Sequence, residues 1–277
     1  MITYYHKSDL DGHCSGAIVK QKHPSTKLIG VDYADKLDRE SIEPGESIVV
    51  VDFCFPKEDM IWLNKNCDLI WCDHHKTSIE MMADQNIDGL RASNLAACEL
   101  TWRFFHPDTN VPWTVWALGR YDVWDHDAHK DILAFQYGMR ENEDTWPDSD
   151  IWKGYLKSTF FDGKLLDDTI QKGKLILGYE EKQNAKYAAA MAYEDTFHGY
   201  RAIVMNKPFA NSLAFKSVYD PDQHDIMVLI STKGDYAWKY TIYSTKPEID
   251  VSKIAQNYKN GGGHRGAAGF HSFTRVV

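Results

Sequence analysis

Three short stretches of this chain crowd imidazole and carboxylate groups together: His6-Lys7-Ser8-Asp9-Leu10-Asp11-Gly12, the run Val49-Val50-Val51-Asp52, and Asp73-His74-His75. Asp122 adds a fourth acidic position. Imidazole and carboxylate ligands together suit a borderline-hard divalent ion such as Mn²⁺. His6 and Asp9, three apart on a turn, can reach one ion. Asp11 can reach a second, and Asp52 projects between them and could bridge. The segment Gly261-Gly262-Gly263-His264-Arg265-Gly266-Ala267-Ala268-Gly269 offers different chemistry. Consecutive glycines let backbone N–H groups approach a phosphate closely, and Arg265 could add a bidentate contact. Taken singly, a D-x-D-G often marks only a turn, Asp-His-His only polar surface, and Gly-Gly-Gly-His only a flexible loop.

The elements that carry these pieces give them order. Residues 2–5 form a short apolar run ending at His6, a polar turn spans 7–12, and 15–21 reads as helix. Residues 28–33 are a second strand. Residues 47–53 are apolar on both faces, the pattern of a central parallel strand. Helix is expected over 56–66, a strand over Asp68–Cys72, and helices over 92–105 and 112–121, with Asp122 following the last. Strands alternating with helices indicate a parallel α/β sheet. Ligands bind at the carboxyl edge of such sheets, and His6, Asp52 and Asp73 all fall there. The acidic stretches 125–131 and 141–150 read as surface loops. Residues 165–193, rich in Ala, Lys, Glu and Leu, read as a connecting helix. Strands follow over 200–205, 226–231 and 238–244, the last two joined by a hairpin at 232–235, then a short helix over 251–259. The expected division is a metal-binding domain over 1–164, a connecting helix over 165–193 and a smaller α/β domain over 194–277.

Composition narrows the function. The 277 residues carry 31 Lys+Arg against 40 Asp+Glu, a net charge of −9, with 43% hydrophobic residues. Such a chain is not disordered. Its acidity counts against a generic binder of long nucleic acid, which is normally basic. The charge is split: residues 194–277 hold ten basic and eight acidic groups, leaving 21 basic and 32 acidic before them. The five cysteines, Cys14, Cys54, Cys67, Cys72 and Cys98, include no C-x-x-C pair, so neither a zinc ribbon nor a disulfide framework is expected. With no signal-peptide pattern and no apolar run long enough to span a bilayer, a cytoplasmic protein with no membrane partner is expected.

On these residues the chain resembles the DHH phosphoesterase superfamily, in the subgroup with a C-terminal DHHA1 domain. The resemblance is carried by His6-x-x-Asp9-x-Asp11-Gly12, the strand ending at Asp52, Asp73-His74-His75, Asp122 and the glycine-rich segment 261–269, and it covers nearly the whole chain. The layout is similar to the branch of small oligoribonucleases (nano-RNases) and cyclic-nucleotide phosphodiesterases. The resemblance implies two divalent ions, Mn²⁺ first, with Mg²⁺ or Co²⁺ as alternatives. One would be held by His6, Asp9 and Asp52, the other by Asp11, Asp52, His74 and Asp122. Asp73 would orient an imidazole and His75 would contact the scissile phosphate. Gly262, Gly263, His264 and Arg265 would bind the substrate's phosphate or terminal group. The implied activity is two-metal hydrolysis of short oligonucleotides or cyclic mono- or dinucleotides. A pyrophosphatase or polyphosphatase on the same metals, and a non-catalytic nucleotide sensor, are the competing readings. No long duplex partner is expected, and a homodimer stays open. The scattered Trp residues read as core rather than as base-stacking platforms, and Trp124, beside Asp122, is the one to test for stacking. Cys14 reads as packing, and Asn211-Ser212 as a helix start that the family places toward substrate.

Overall fold

The computed structural model describes residues 1–157, 163–232, 237–258 and 261–276. The chain forms two compact units, Met1–Leu177 and Gly178–Val277, divided inside one long helix.

In the first unit β1 (Ile2–His6), β2 (Lys27–Val31), β3 (Ser47–Val51) and β4 (Asp68–Cys72) form an all-parallel sheet in the order β2-β1-β3-β4. β3 is central because its β-branched run suits burial on both faces; Ile48, Val49, Val50 and Val51 are all fully buried. Side chains alternate with a period of two. Tyr4, Ile48, Val50 and Trp71 pack on one face with Met60 and Leu63 of α2 (Lys57–Asn66). Tyr5, Val49, Val51 and Cys72 pack on the other with Val19 of α1 (Leu10–Lys22) and Leu100 and Phe105 of the helix Ala97–Phe105. Between these lies the short α3 (Lys76–Met81), so Ala97–Phe105 is α4.

Beyond the sheet, α1 and α4 share a helical core with α5 (Trp113–Asp122), α6 (Ile132–Arg140), α7 (Ile151–Tyr155) and the start of α8 (Lys164–Met191). Each large side chain buried there, such as Phe135 or Trp152, contributes roughly 1.5–3 kcal/mol by leaving water.

Several boundaries differ from the sequence reading. α1 begins at Leu10, not near residue 15, because Asp9 caps it: Gly12 N–H donates to Asp9 Oδ1 at 2.9 Å. Gly12 therefore sits in the first helical turn, pressed on the end of β1, where a Cβ would run into the His6 carbonyl. α4 begins at Ala97, so residues 92–96 are not helical. Asp122 is the last residue of α5, not the one after it. α6 and α7 were not expected; α6 lies between the two acidic stretches, and a short 3-10 turn, His126–Ala128, interrupts the first of them.

The second unit holds β5 (Tyr193–Phe197), β6 (Tyr200–Asn206), β7 (Ile226–Thr232), β8 (Trp238–Tyr243), α9 (Val251–Ala255), β9 (Gly262–Gly263) and β10 (Ala267–Ser272). Its mixed six-stranded sheet runs β5-β6-β7-β8-β10-β9. One face packs Val204, Val228, Tyr240 and Phe270 against Val251 and Ile254 of α9. The other packs Ile203, Met205 and Leu229 against Ala188 of α8 and Phe215. β5 and β10 were missed, and the glycine-rich segment expected as a loop is in part the edge strand β9. β7 and β8 pair antiparallel; of the hairpin expected between them, residues 233–235 lie outside the described residues. The fold class is as expected, α/β with a parallel sheet in the first unit and a smaller α/β second unit, whose sheet is mixed. Among the described residues no helix is long and apolar enough to cross a membrane.

Candidate metal centre

In the order β2-β1-β3-β4 the connections leave β1 and β3 toward opposite edges, and at such a switch point open α/β sheets bind ligands beside the carboxyl ends of their strands. His6 ends β1, and Asp9 and Asp11 follow at the cap and first turn of α1. Asp52 follows β3 and Asp73 follows β4. Asp122 arrives from the last turn of α5. These five elements deliver their carboxylates and imidazoles to one place.

Among the described residues of the first unit, three groups form in which one ligand atom per residue lies within 4.8 Å of the others: His6 with Asp9 and Asp52; Asp11 with His74 and Asp122; and Asp52 with Asp73 and His75. In the first, His6 Nδ1 stands 3.0 Å from Asp9 Oδ2 and 3.6 Å from Asp52 Oδ2. In the second, His74 Nε2 stands 3.6 Å from Asp11 Oδ2 and 3.2 Å from Asp122 Oδ2. Asp52 joins the two, since its Oδ1 is 3.3 Å from His74 Nε2. Asp52 is 1% exposed, and neither of its oxygens makes a hydrogen bond of good geometry. A buried carboxylate left so is costly, and a divalent cation between the clusters would satisfy it. Asp52 also has φ +54°, a left-handed conformation that Asp tolerates better than most residues. Its N–H still donates to the Cys72 carbonyl at 3.0 Å, so the backbone turns without leaving the sheet.

The electrostatics follow from this crowding. Burial opposes charge on His6, yet the adjacent Asp52 and Asp9 carboxylates prevail and raise its pKa to about 11. Burial and the neighbouring Asp52 and Asp122 push Asp11 well above the usual carboxylate range. Burial likewise lifts Asp122 to about 6, with the His74 imidazole opposing and Asp9 and Asp52 adding to the rise. Asp52 goes the other way: burial is outweighed by His6 and His74, which hold its carboxyl well below the usual range. Protons here occupy places where cations fit.

Asp73 Oδ1 accepts three hydrogen bonds: from the N–H of His74 at 2.7 Å, the N–H of His75 at 3.1 Å and His75 Nδ1 at 2.8 Å. It thereby fixes the ring of His75, and its charge raises the His75 pKa against the effect of burial.

Three supports had no signal in the sequence. Asp11, besides facing His74, accepts from the backbone N–H groups of Ala97 at 2.9 Å and Cys98 at 2.8 Å. It caps α4, whose own N-cap residue, Ala96, offers no side chain for the task. Glu99 of α4, buried, pairs with Arg120 of α5 and steadies the helix that presents Asp122. Beyond β2, Asp32 Oδ1 lies 3.8 Å from His6 Nε2, and the Tyr33 hydroxyl lies 3.3 Å from His75 Nε2. Tyr33 packs over His6 and Phe53 with ring centroids 5.5 Å away in each case. Only the loop after β2 brings Asp32 and Tyr33 here, far along the chain from the histidines they meet.

The glycine-rich residues belong to the second unit. Gly263 has φ +137°, where a Cβ would meet Ala268, and the His264 N–H donates to the Ala267 carbonyl at 2.8 Å. The Arg265 carbonyl accepts from Val251 N–H at 2.9 Å, and its side chain is exposed. Asn211 Oδ1 accepts from Leu213 N–H at 3.1 Å, capping the 3-10 turn Ser212–Phe215. Cys14, Cys72 and Cys98 are buried, with Cys54 and Cys67 partly so, and all five are free.

No protein-family model matches the chain. In sequence it is similar to an uncharacterized protein of Acanthamoeba polyphaga mimivirus, 25% identical over 238 residues that cover 81% of this chain and 52% of the relative. The chain thus spans about half the length of that curated relative. In structure it is similar to the DHH domain of a member of a family of ribosomal proteins, with TM-score 0.57, 13% identity, and coverage of 97% of this chain and 81% of that one. It is also similar to PggH, a pGpG-specific phosphodiesterase from Vibrio cholerae, with TM-score 0.50, 12% identity, and coverage of 98% and 92%. By its strand order, its likeness to these solved structures and the His/Asp clusters at its carboxyl edge, the chain has the fold of the DHH-domain proteins.

Proposed function

We propose that this protein is a two-metal phosphodiesterase, working with Mn²⁺ on short oligonucleotides or cyclic mono- or dinucleotides. The observation that carries the reading is the pair of buried clusters joined by Asp52, both of whose oxygens lack a hydrogen bond of good geometry. His6, Asp9 and Asp52 would hold one ion, and Asp11, Asp52, His74 and Asp122 the other. Divalent ions there supply Lewis acidity toward a phosphoryl oxygen and a nucleophilic water at neutral pH. The chain's own groups do the rest. Asp73 holds the His75 ring and favours its protonated form, so that His75 donates to a phosphoryl oxygen and offsets its developing charge. In the second unit, the backbone at Gly262 and Gly263, with His264 and Arg265, binds a phosphate or terminal group of the substrate. The likeness in fold to a phosphodiesterase supports this reading, and the net charge of −9 favours small substrates over long polymers.

The test is a product assay with Mn²⁺ across oligonucleotides of two to five residues, cyclic mono- and dinucleotides, and pyrophosphate. Phosphodiester cleavage that Asp52→Ala abolishes is the expected result. Equal turnover by Asp52→Ala and wild type would sink the proposal. Phosphate release from pyrophosphate with dinucleotides intact would replace it with a pyrophosphatase, and tight nucleotide binding without turnover with a sensor.

A further inference from the structure

The turn that closes α5 is built on an unexpected residue. Trp124 N–H donates to the Tyr121 carbonyl at 3.0 Å, and Asp125 N–H donates to the Arg120 carbonyl at 2.7 Å. With Val123 as the C-cap, these bonds form a Schellman motif and put Trp124 at the left-handed position just past the cap. Its φ is +60°. Glycine usually holds that position, because a Cβ there crowds the following carbonyl. A bulky aromatic kept in a conformation it disfavours, two residues from Asp122 of the candidate metal centre, points to a use for the side chain itself.

The ring's surroundings say what that use is. Trp124 is 38% exposed. The Tyr121 and His126 rings meet it at centroid distances of 5.6 and 5.0 Å and interplanar angles of 61° and 84°, so they brace the indole without stacking on it. The turn beneath is tied down, since Asp125 Oδ2 accepts from Arg120 Nη1 at 3.2 Å. A braced, partly exposed indole beside phosphate chemistry is a surface on which any nucleobase can stack.

We propose that Trp124 is the stacking platform for a nucleobase of the substrate, and that the site thereby selects phosphoryl compounds that carry a base. This deepens the phosphodiesterase reading and rests on it.

The test compares AMP with ribose 5-phosphate, which share sugar and phosphate and differ in the base. Their affinities for the full chain are measured by calorimetry with Mn²⁺ present. Wild type is expected to hold AMP about tenfold more tightly. Trp124→Gly and Trp124→Ala should bring that ratio near one, while Trp124→Phe keeps most of it. Because glycine suits the turn, Trp124→Gly should melt no lower than wild type, which separates loss of the ring from loss of the fold. Equal affinities in wild type, or an AMP advantage that survives Trp124→Gly, would overturn the proposal. Dinucleotide hydrolysis is followed in parallel. Base-dependent affinity without turnover would defeat the phosphodiesterase reading and leave the stacking role standing; turnover without base dependence would do the reverse.

Discussion

His6 shows how one side chain's proton records the demands of its site. Free imidazole titrates near 6.5, and in this fold the carboxylates of Asp52 and Asp9 carry His6 to about 11 despite burial. A raised folded-state pKa stabilises the metal-free protein fully below 6.5, and that contribution is lost as pH rises through about 11. A cation that takes His6 as a ligand must displace this proton. Mn²⁺ binding at pH 7 is therefore expected to release protons, and to tighten by about tenfold per pH unit for each proton displaced. Calorimetry in two buffers of different ionisation enthalpy measures the release; identical apparent heats would remove His6 from the ligand set. Tyr33 is the second residue to test. Its hydroxyl meets His75 Nε2, while its ring packs against His6, Phe53 and the edge of His75; a phenyl ring keeps those contacts, so Tyr33→Phe removes one hydrogen bond and little else. A loss of roughly 2- to 10-fold in kcat is expected. A steady-state assay giving an unchanged kcat would place the hydroxyl outside the reaction.

At the scale of elements, the D-x-D-G stretch is a piece of packing as much as a ligand set. Asp9 caps α1, Asp11 caps α4, and Gly12 lets the first turn of α1 settle on the end of β1. A side chain at Gly12 forces helix and strand apart, and with them His6 from Asp9 and Asp52. Gly12→Ala is expected to cost about 1–3 kcal/mol and to weaken Mn²⁺ binding as well. Thermal melts and Mn²⁺ titration check both; a variant that melts and binds like wild type would show that the close approach is not required. The same logic explains why α4 starts late. Its first N–H groups are satisfied by a carboxylate 86 residues away, which no local pattern announces.

At the scale of the molecule, the two units carry separate cores, and the candidate ligands His6, Asp9, Asp11, Asp52, His74 and Asp122 all belong to the first. Thermal unfolding is expected to show two transitions, of which Mn²⁺ raises one. At a hundredfold excess over Kd the stabilisation is about 2.7 kcal/mol, or a shift of roughly 5–10 °C for a unit of this size. Calorimetric scans with Mn²⁺ and with a chelator read this out; two transitions that move together would join the units energetically. The acidity of residues 1–193 finds part of its account here, because Asp9, Asp11, Asp52 and Asp122 are gathered where cations would offset them.

The parallel sheet of the first unit and the strand-end placement of His6, Asp52 and Asp73 were legible in the sequence, because residue types and a period of two or 3.6 are local properties; His74 and Asp122 entered the ligand set only through the family resemblance. So was the α/β character of the second unit, though β5 and β10 were missed: β5 is short and exposed along most of its length, and β10 is rich in Gly and Ala. α6 and α7 escaped because each is short and bounded by acidic or proline-containing segments that read as loop. The tertiary structure alone decided that Asp11 caps α4, that Glu99 pins Arg120, that Asp32 and Tyr33 reach the histidines, and that Trp124 occupies a glycine position. Each of these depends on a contact or a backbone angle set by chain packing between elements, and such contacts leave no periodic trace in the order of residues.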